Sequence, residues 1–276
     1  MPEGDTVRRL AERIGRRFVG ERCVQSIARD PRITHLDLGG AQLIEADAVG
    51  KWLLLRFDDD RTVYGHLRMD GRWDLGRRSS APEWKRRLEV EFESGWMTAI
   101  DMALIGAVRT ADEATVIGHL GPDLCGPAVP DIDAIVERLR TEPDRPLASA
   151  LLDQRNVAGF GNIYAVEVPF IGGVSPFQPI ASIDGLDLIV RAGSALIRTN
   201  ADRGPQNTTG RRLHDAHHWV YGKRRRPCPW CSTTLDGMND RDSPWQRVTT
   251  WCPSCQPLVE QRAVDPARIE RALLLH

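Results

Sequence analysis

The feature that most limits how this 276-residue chain can fold is a set of four cysteines near its end. Cys228-Pro-Trp-Cys231 and Cys252-Pro-Ser-Cys255 are two C-x-x-C pairs with twenty residues between them. A tight turn in each pair brings two thiolates onto one tetrahedral ion, and the stretch between them suits a β-hairpin. Four protein ligands leave no open position, so the spacing predicts one structural Zn²⁺ that folds the hairpin and performs no chemistry. A thioredoxin-like redox pair is the competing reading, and two pairs at this spacing argue against it.

The other two cysteines, Cys23 and Cys125, read as small buried hydrophobes rather than a disulfide. No apolar run approaches the roughly eighteen residues that span a bilayer, and the N-terminus has no apolar signal core. The expectation is a cytoplasmic protein with no membrane partner. The net charge of −1 does not advertise a nucleic-acid partner, but the charge is unevenly spread. Between Arg203 and Arg226 stand seven cations against one anion, Asp215, ending in Lys223-Arg224-Arg225-Arg226. A metal hairpin flanked by such a run suits phosphate neutralisation. His214, His217 and His218 lie upstream without metal-site spacing and read as surface or DNA-facing side chains.

With 41% hydrophobic and 27% charged residues, the chain can support two modest cores. Val7, Leu10 and Ile14 predict a helix over 3–18. From about 22 to 110 the pattern turns to strands: "KWLLLRF" (51–57), "TVYGHLRMDGRWDL" (62–75) and "RLEVEFESG" (87–95) predict a two-layer sandwich. "GPDLCGPAVPD" (121–131) reads as a linker. Helical patterns follow over 131–140, 146–157, 162–171 and 185–200.

Two short stretches carry two meanings each. "MPEGDTVRRL" is a good helix start, with proline in the first turn and Glu3, Asp5 and Thr6 near the N-terminus. It is also a chain whose Met1 an aminopeptidase would remove, leaving the secondary amine of Pro2 free. "LLDQRNVAGFGNIYAVE" (151–167) places Gly159 and Gly161 between two helices, with Asn162 opening the second. That is either a plain helix hairpin with Asn162 as its cap, or a helix N-terminus presented to a phosphate.

In this order, these features resemble the formamidopyrimidine-DNA glycosylase/endonuclease VIII family of base-excision repair enzymes, nearest its endonuclease VIII-like branch. The resemblance covers nearly the whole chain. It rests on "PEG" after Met1, "VGKWLLL", "HLRMDG", "HLGPD", "LLDQRNVAGFGNIYAVE" and "QRVTTWCPSCQ". It implies an α+β fold: an N-terminal β-sandwich domain with flanking helices (1–120), a linker (121–130), and a helix-two-turn-helix DNA-binding domain (131–222). A zinc finger (223–256) and an extra tail (257–276) would follow, with damaged DNA, duplex or possibly single-stranded or bubble, in the cleft. A monomer is the expectation.

The resemblance also implies the chemistry. Pro2 would attack C1′ of the damaged nucleoside and form a Schiff base, with Glu3 as the adjacent acid and base. Lys51 would donate a proton and contact a phosphate. Arg247, five residues before Cys252, would grip the phosphate near the lesion. Met69 would fill the void left by the flipped nucleotide, Gly161 and Asn162 would hold a neighbouring phosphate, and His119 would be a further DNA contact. The strand would be nicked by β- or β,δ-elimination.

Thr6 stands where many relatives carry a second glutamate, and "RTADE" after "LIGAV" lacks the Arg-x-Phe pair that probes the opposite strand. The span from Arg203 to Val220 is short for the loop that closes over 8-oxoguanine, which tilts the expected substrate toward oxidised pyrimidines. Oxidised purines, or a catalytically silent lesion-binding protein, are the alternatives. In the tail, Asp265-Pro266 predicts a helix with Ile269, Leu273 and Leu274 as its apolar stripe, docked on the body or on a partner.

Overall fold

The computed structural model describes residues 2–213 and 216–275; His214 and Asp215 lie outside them. The chain forms two compact units, residues 1–119 and 120–276.

In the first unit, α1 (Gly4–Phe18) turns Val7, Leu10, Ala11, Ile14 and Phe18 inward, the stripe expected of a half-buried helix. The strands β1 (Gln25–Ala28), β2 (Leu43–Val49), β3 (Trp52–Phe57), β4 (Arg61–His66), β5 (Arg72–Gly76), β6 (Arg86–Phe92), β7 (Gly95–Ile100) and β8 (Leu104–Arg109) form two four-stranded sheets. Their orders are β1-β6-β7-β5 and β2-β3-β4-β8, antiparallel throughout. Leu53, Leu55 and Phe57 of one sheet and Leu88, Val90, Phe92, Met97 and Ala99 of the other share a core with α1, so the two sheets are the layers of a sandwich. A short α2 (Ala114–Ile117) follows.

The second unit is built around α5 (Asn162–Gly172), every residue of which is buried. Apart from Asn162 and Glu167, the sequence "NIYAVEVPFIG" is apolar on every face and so belongs inside a helical core. Against it pack α4 (Leu147–Leu152) and α6 (Leu186–Arg203), and α3 (Ile132–Arg140) packs on α6. Past α6, β10 (Asp236–Met238) and β11 (Thr249–Trp251) pair as the hairpin between the cysteine pairs. The tail adds β12 (Arg262–Ala263), parallel to β9 (Ile183–Asp184), and α7 (Pro266–Leu273). Helices, hairpin and tail contribute to one core.

The Pro/Gly-rich stretch after residue 120 is packed on this unit. Leu124 is fully buried, and Arg198 donates to the carbonyls of Leu124, Gly126 and Ala128. Cys23 and Cys125 form no disulfide and are buried, one in each core. Among the described residues no helix is long and apolar enough to cross a membrane.

Candidate nucleic-acid interface and metal site

In the first unit, the fold gathers Pro2, Glu3, Lys51 and Met69 at one end. Helix α1 runs antiparallel to β2. Near the helix C-terminus Gly20 N donates to Leu43 O at the start of β2, whereas Arg8 pairs with Asp47 at 2.7 Å and donates to Ala48 O near the end of β2. Following the helix back from Arg8 therefore carries Pro2 and Glu3 toward the Gly50–Lys51 turn. Gly50 has φ +57°, a left-handed conformation that reverses the chain sharply and leaves Lys51 on the turn before β3.

Glu3 is fully buried at the helix N-terminus, where the first-turn N–H groups favour a negative charge. Its carbonyl accepts from Thr6 N and Val7 N.

His66 closes the far side of this cluster. It pairs across the sheet with Trp52, the residue after Lys51, and its ring stands edge-on to that indole at 5.3 Å. Its Nδ1 accepts from Arg68 N at 3.1 Å. Burial, followed by the charges of Arg68 and Lys51, pulls its pKa down to about 4, so it is a neutral imidazole near pH 7. Met69 sits at the tip of the same turn and is 64% exposed, which rules out a sheet-core role for it. The reading of "HLRMDG" for its methionine passed over His66; a histidine closing a strand beside a cationic turn was the available signal.

In the second unit, Gly161 caps α5 and Asn162 is the first helical residue, not the cap that a plain hairpin would use. Of the two glycines it is Gly159, at φ +105°, that takes the left-handed turn, while Gly161 is extended. The Asn162 amide is buried and donates to Val248 O at 2.8 Å, which holds the segment carrying Arg247 at the N-terminus of α5. The Arg247 side chain itself is exposed.

The four cysteine sulfurs lie within 4.8 Å of one another, with Cys228–Cys255 at 3.9 Å and Cys231–Cys252 at 3.4 Å. These separations fit four thiolates around one ion with metal–sulfur bonds of about 2.3 Å. Thr233 holds the Cys231 thiol down near 6, and burial pushes Cys252 up to about 12. A cation therefore has to displace protons from the buried members of the set.

Comparisons with known proteins agree with this architecture. Residues 1–108 match the formamidopyrimidine-DNA glycosylase N-terminal domain, and residues 120–202 match the H2TH domain of the same family. A probable endonuclease 8 2 of Streptomyces coelicolor is 38% identical, the alignment covering 93% of this chain and 94% of that one. The chain belongs to the formamidopyrimidine-DNA glycosylase family.

Two further relatives bracket the likeness. The DNA-(apurinic or apyrimidinic site) lyase Nei2 of Mycolicibacterium smegmatis is 35% identical over 93% of this chain and 99% of its own. The crystal structure of the MutM (Fpg) protein of Thermus thermophilus has a TM-score of 0.77 at 27% identity, covering 94% of this chain and all of that one.

His119 is exposed at the end of the first unit. His217 and His218 are half-buried; the His217 carbonyl accepts from Thr208 N, and the His218 ring packs on Tyr221. In α7, Leu274 is 78% exposed while Ala272 is fully buried, so the apolar stripe is Ile269, Ala272 and Leu273.

Glu167 is the second residue that sequence reasoning missed. Fully buried within α5, its carboxylate accepts from Trp219 N at 2.6 Å, Val220 N at 2.8 Å, Tyr221 N at 2.7 Å and the Thr208 hydroxyl. The carboxylate thereby seats the loop that leads to the basic run. One acid in an otherwise apolar helix was its signal.

Proposed function

We propose that this DNA glycosylase and AP lyase of base excision repair excises oxidised pyrimidines through a Schiff base on the N-terminal proline. The observation that carries the reading is the gathering of Pro2 and the buried Glu3 with Lys51, His66 and the exposed Met69 at one end of the first unit. A structural domain has no need of a buried carboxylate next to an N-terminal amine and beside two cationic turns. This constellation also counts against a silent lesion binder.

In the mechanism, removal of Met1 frees the Pro2 nitrogen. An N-terminal amine has a pKa of about 7.7–8.0, so a fraction of neutral amine is available at neutral pH. Its lone pair forms the bond to C1′ as the damaged base leaves with the glycosidic electron pair, and the nitrogen loses its proton. Glu3 then protonates O4′ as the C1′–O4′ bond breaks, giving an iminium. This cation acidifies the 2′-hydrogens, and loss of one expels the 3′ phosphate. A further elimination, for which Arg247 neutralises the departing 5′ phosphate, completes the excision of the sugar.

Lys51 contributes a phosphate contact and a proton. His66 offers a neutral imidazole at the same end of the sandwich. Met69 enters the stack when the nucleotide is turned out. Gly161 and Asn162 present the α5 N-terminus to a neighbouring phosphate. Cys228, Cys231, Cys252 and Cys255 would hold Zn²⁺, whose chemistry is structural: with four thiolates bound it folds the hairpin that carries Arg247. The protein acts as a cytoplasmic monomer on damaged DNA.

The test is incision of duplex and single-stranded oligonucleotides carrying thymine glycol, dihydrouracil, 5-hydroxycytosine or 8-oxoguanine. The reading predicts faster release of the pyrimidine lesions and no incision by a chain whose Pro2 nitrogen is blocked by an uncleaved N-terminal extension. Preferential release of 8-oxoguanine would overturn the substrate assignment.

A further inference from the structure

The tail past residue 257 is more than an appendage to the second unit, for its arginines converge on two places at once. Asp265 caps α7, accepting from Ala267 N at 3.1 Å and Arg268 N at 3.2 Å, and this aims the first turn of the helix at the end of α5. Arg268 Nη2 donates to Phe170 O at 3.0 Å, Arg262 Nε to Gly173 O at 2.8 Å, and Asp265 N to Gly172 O at 3.0 Å. The tail therefore satisfies three carbonyls at the α5 C-terminus and sets positive charge against that end of the helix dipole. Gly173, at φ +69°, leaves room for this; a Cβ there would lie 3.3 Å from Arg268 Cδ and 3.4 Å from the Arg262 guanidinium.

The second place is the metal knuckle. The Arg268 guanidinium lies 4.0 Å from the ring centre of Trp230, one of the two residues between Cys228 and Cys231, and Arg271 lies at 5.8 Å. Arg268 also interacts with the Cys255 sulfur, and Arg262 reaches the Cys255 carbonyl at 3.4 Å. Arg268 Nε is buried with no acceptor, a costly state that the thiolate charge of an occupied metal site beside it would relieve.

We infer that Arg268 is a positioning residue: it ties the metal knuckle to the C-terminal end of α5, while Asn162 ties the Arg247 segment to the N-terminal end of the same helix. The inference rests on the proposed zinc site and on the role proposed for Arg247. Held at both ends of one buried helix, the finger cannot pivot, and a Cys₄ site of net negative charge keeps a cation against it. Arg268 thus governs metal retention and the seating of Arg247 without touching DNA.

The experiment follows zinc release from the full-length, zinc-loaded protein into excess 4-(2-pyridylazo)resorcinol. Arg268→Ala should release zinc about 10-fold faster or more, the scale on which residues supporting metal ligands act. Arg268→Lys keeps the charge and should fall between Arg268→Ala and wild type, and it serves as the test if the alanine variant fails to fold. Trp230→Leu should match Arg268→Ala, with no further acceleration in the double variant. With zinc saturating, Arg268→Ala should raise KM for abasic-site DNA while leaving the single-turnover rate of Schiff-base formation unchanged. Wild-type release rates in both Arg268 variants, or independent effects of the two side chains, would overturn the proposal alone. A wild-type protein holding no zinc by elemental analysis would instead strike down the metal reading, and this proposal with it.

Discussion

Replacing Glu167 by glutamine removes the charge that organises the loop before the basic run, and its cost follows from the four donors. Val220 N and Tyr221 N point at one carboxylate oxygen, Trp219 N and the Thr208 hydroxyl at the other. Turned so that its NH₂ faces Trp219 N and Thr208, the new amide loses the Trp219 bond, while the Thr208 hydroxyl accepts from the NH₂ and donates to His217 O instead, in a site closed to water. At about 1.5–3 kcal/mol for a charge-assisted bond, the second unit should lose about 1.5–3 kcal/mol, out of the roughly 5–15 kcal/mol that a domain possesses. Thr208→Val removes a single donor and should cost about 1 kcal/mol. Urea unfolding combined with hydrogen exchange at the amides of residues 219–221 measures both quantities. Those three amides should lose protection in Glu167→Gln while the sandwich strands keep theirs. A loss below about 1 kcal/mol, with the three amides still protected, would refute the reasoning.

His66 makes a pH prediction. Its folded pKa of about 4 lies below the ordinary 6.5, so the unfolded chain binds the proton first. The stability it contributes is complete above 6.5 and is lost as pH falls toward 4. Each tenfold difference in proton affinity between the folded and unfolded chain is worth about 1.4 kcal/mol. Wild type should therefore lose about 3 kcal/mol more than His66→Gln between pH 7 and 4; parallel urea midpoints would contradict this. Gly193→Ala, on α6, would set a Cβ 2.2 Å from Phe160 Cζ, in the turn before α5. Overpacking there should cost about 1–3 kcal/mol and weaken DNA binding, checked by thermal melts and a binding titration. Stripping the metal with a chelator should unfold the β10–β11 hairpin and leave the sandwich intact by circular dichroism. Metal retention should also weaken as acid protonates the thiolates, and a pH-independent release rate would argue against thiolate ligation.

The legible parts of this protein in its sequence were those whose physics is local. The cysteine spacing names its own hairpin, the alternation in "RLEVEF" and the stripe Val7-Leu10-Ile14 name a strand and a helix, and Asp265-Pro266 names a helix start. The clustering of Glu3 with Lys51 was not readable from spacing, because it depends on α1 running antiparallel to β2 and on where β2 ends. Recognisable family motifs supplied that pairing; strand register supplies its cause. His66 and Glu167 escaped because each gains its meaning from partners far along the chain: Trp52 across the sheet, and the amides of 219–221. The seat of Arg268 on Trp230 needs the tail to dock, which no local pattern encodes.

Borohydride reduction of the protein on DNA containing an abasic site, followed by peptide mapping of the trapped complex, tests the central claim most directly. A covalent adduct should form on the nitrogen of Pro2 in a chain that has lost Met1, and none in a chain whose Pro2 nitrogen stays blocked by a retained Met1. An adduct on Lys51, or equal trapping by a chain that retains Met1, would contradict it.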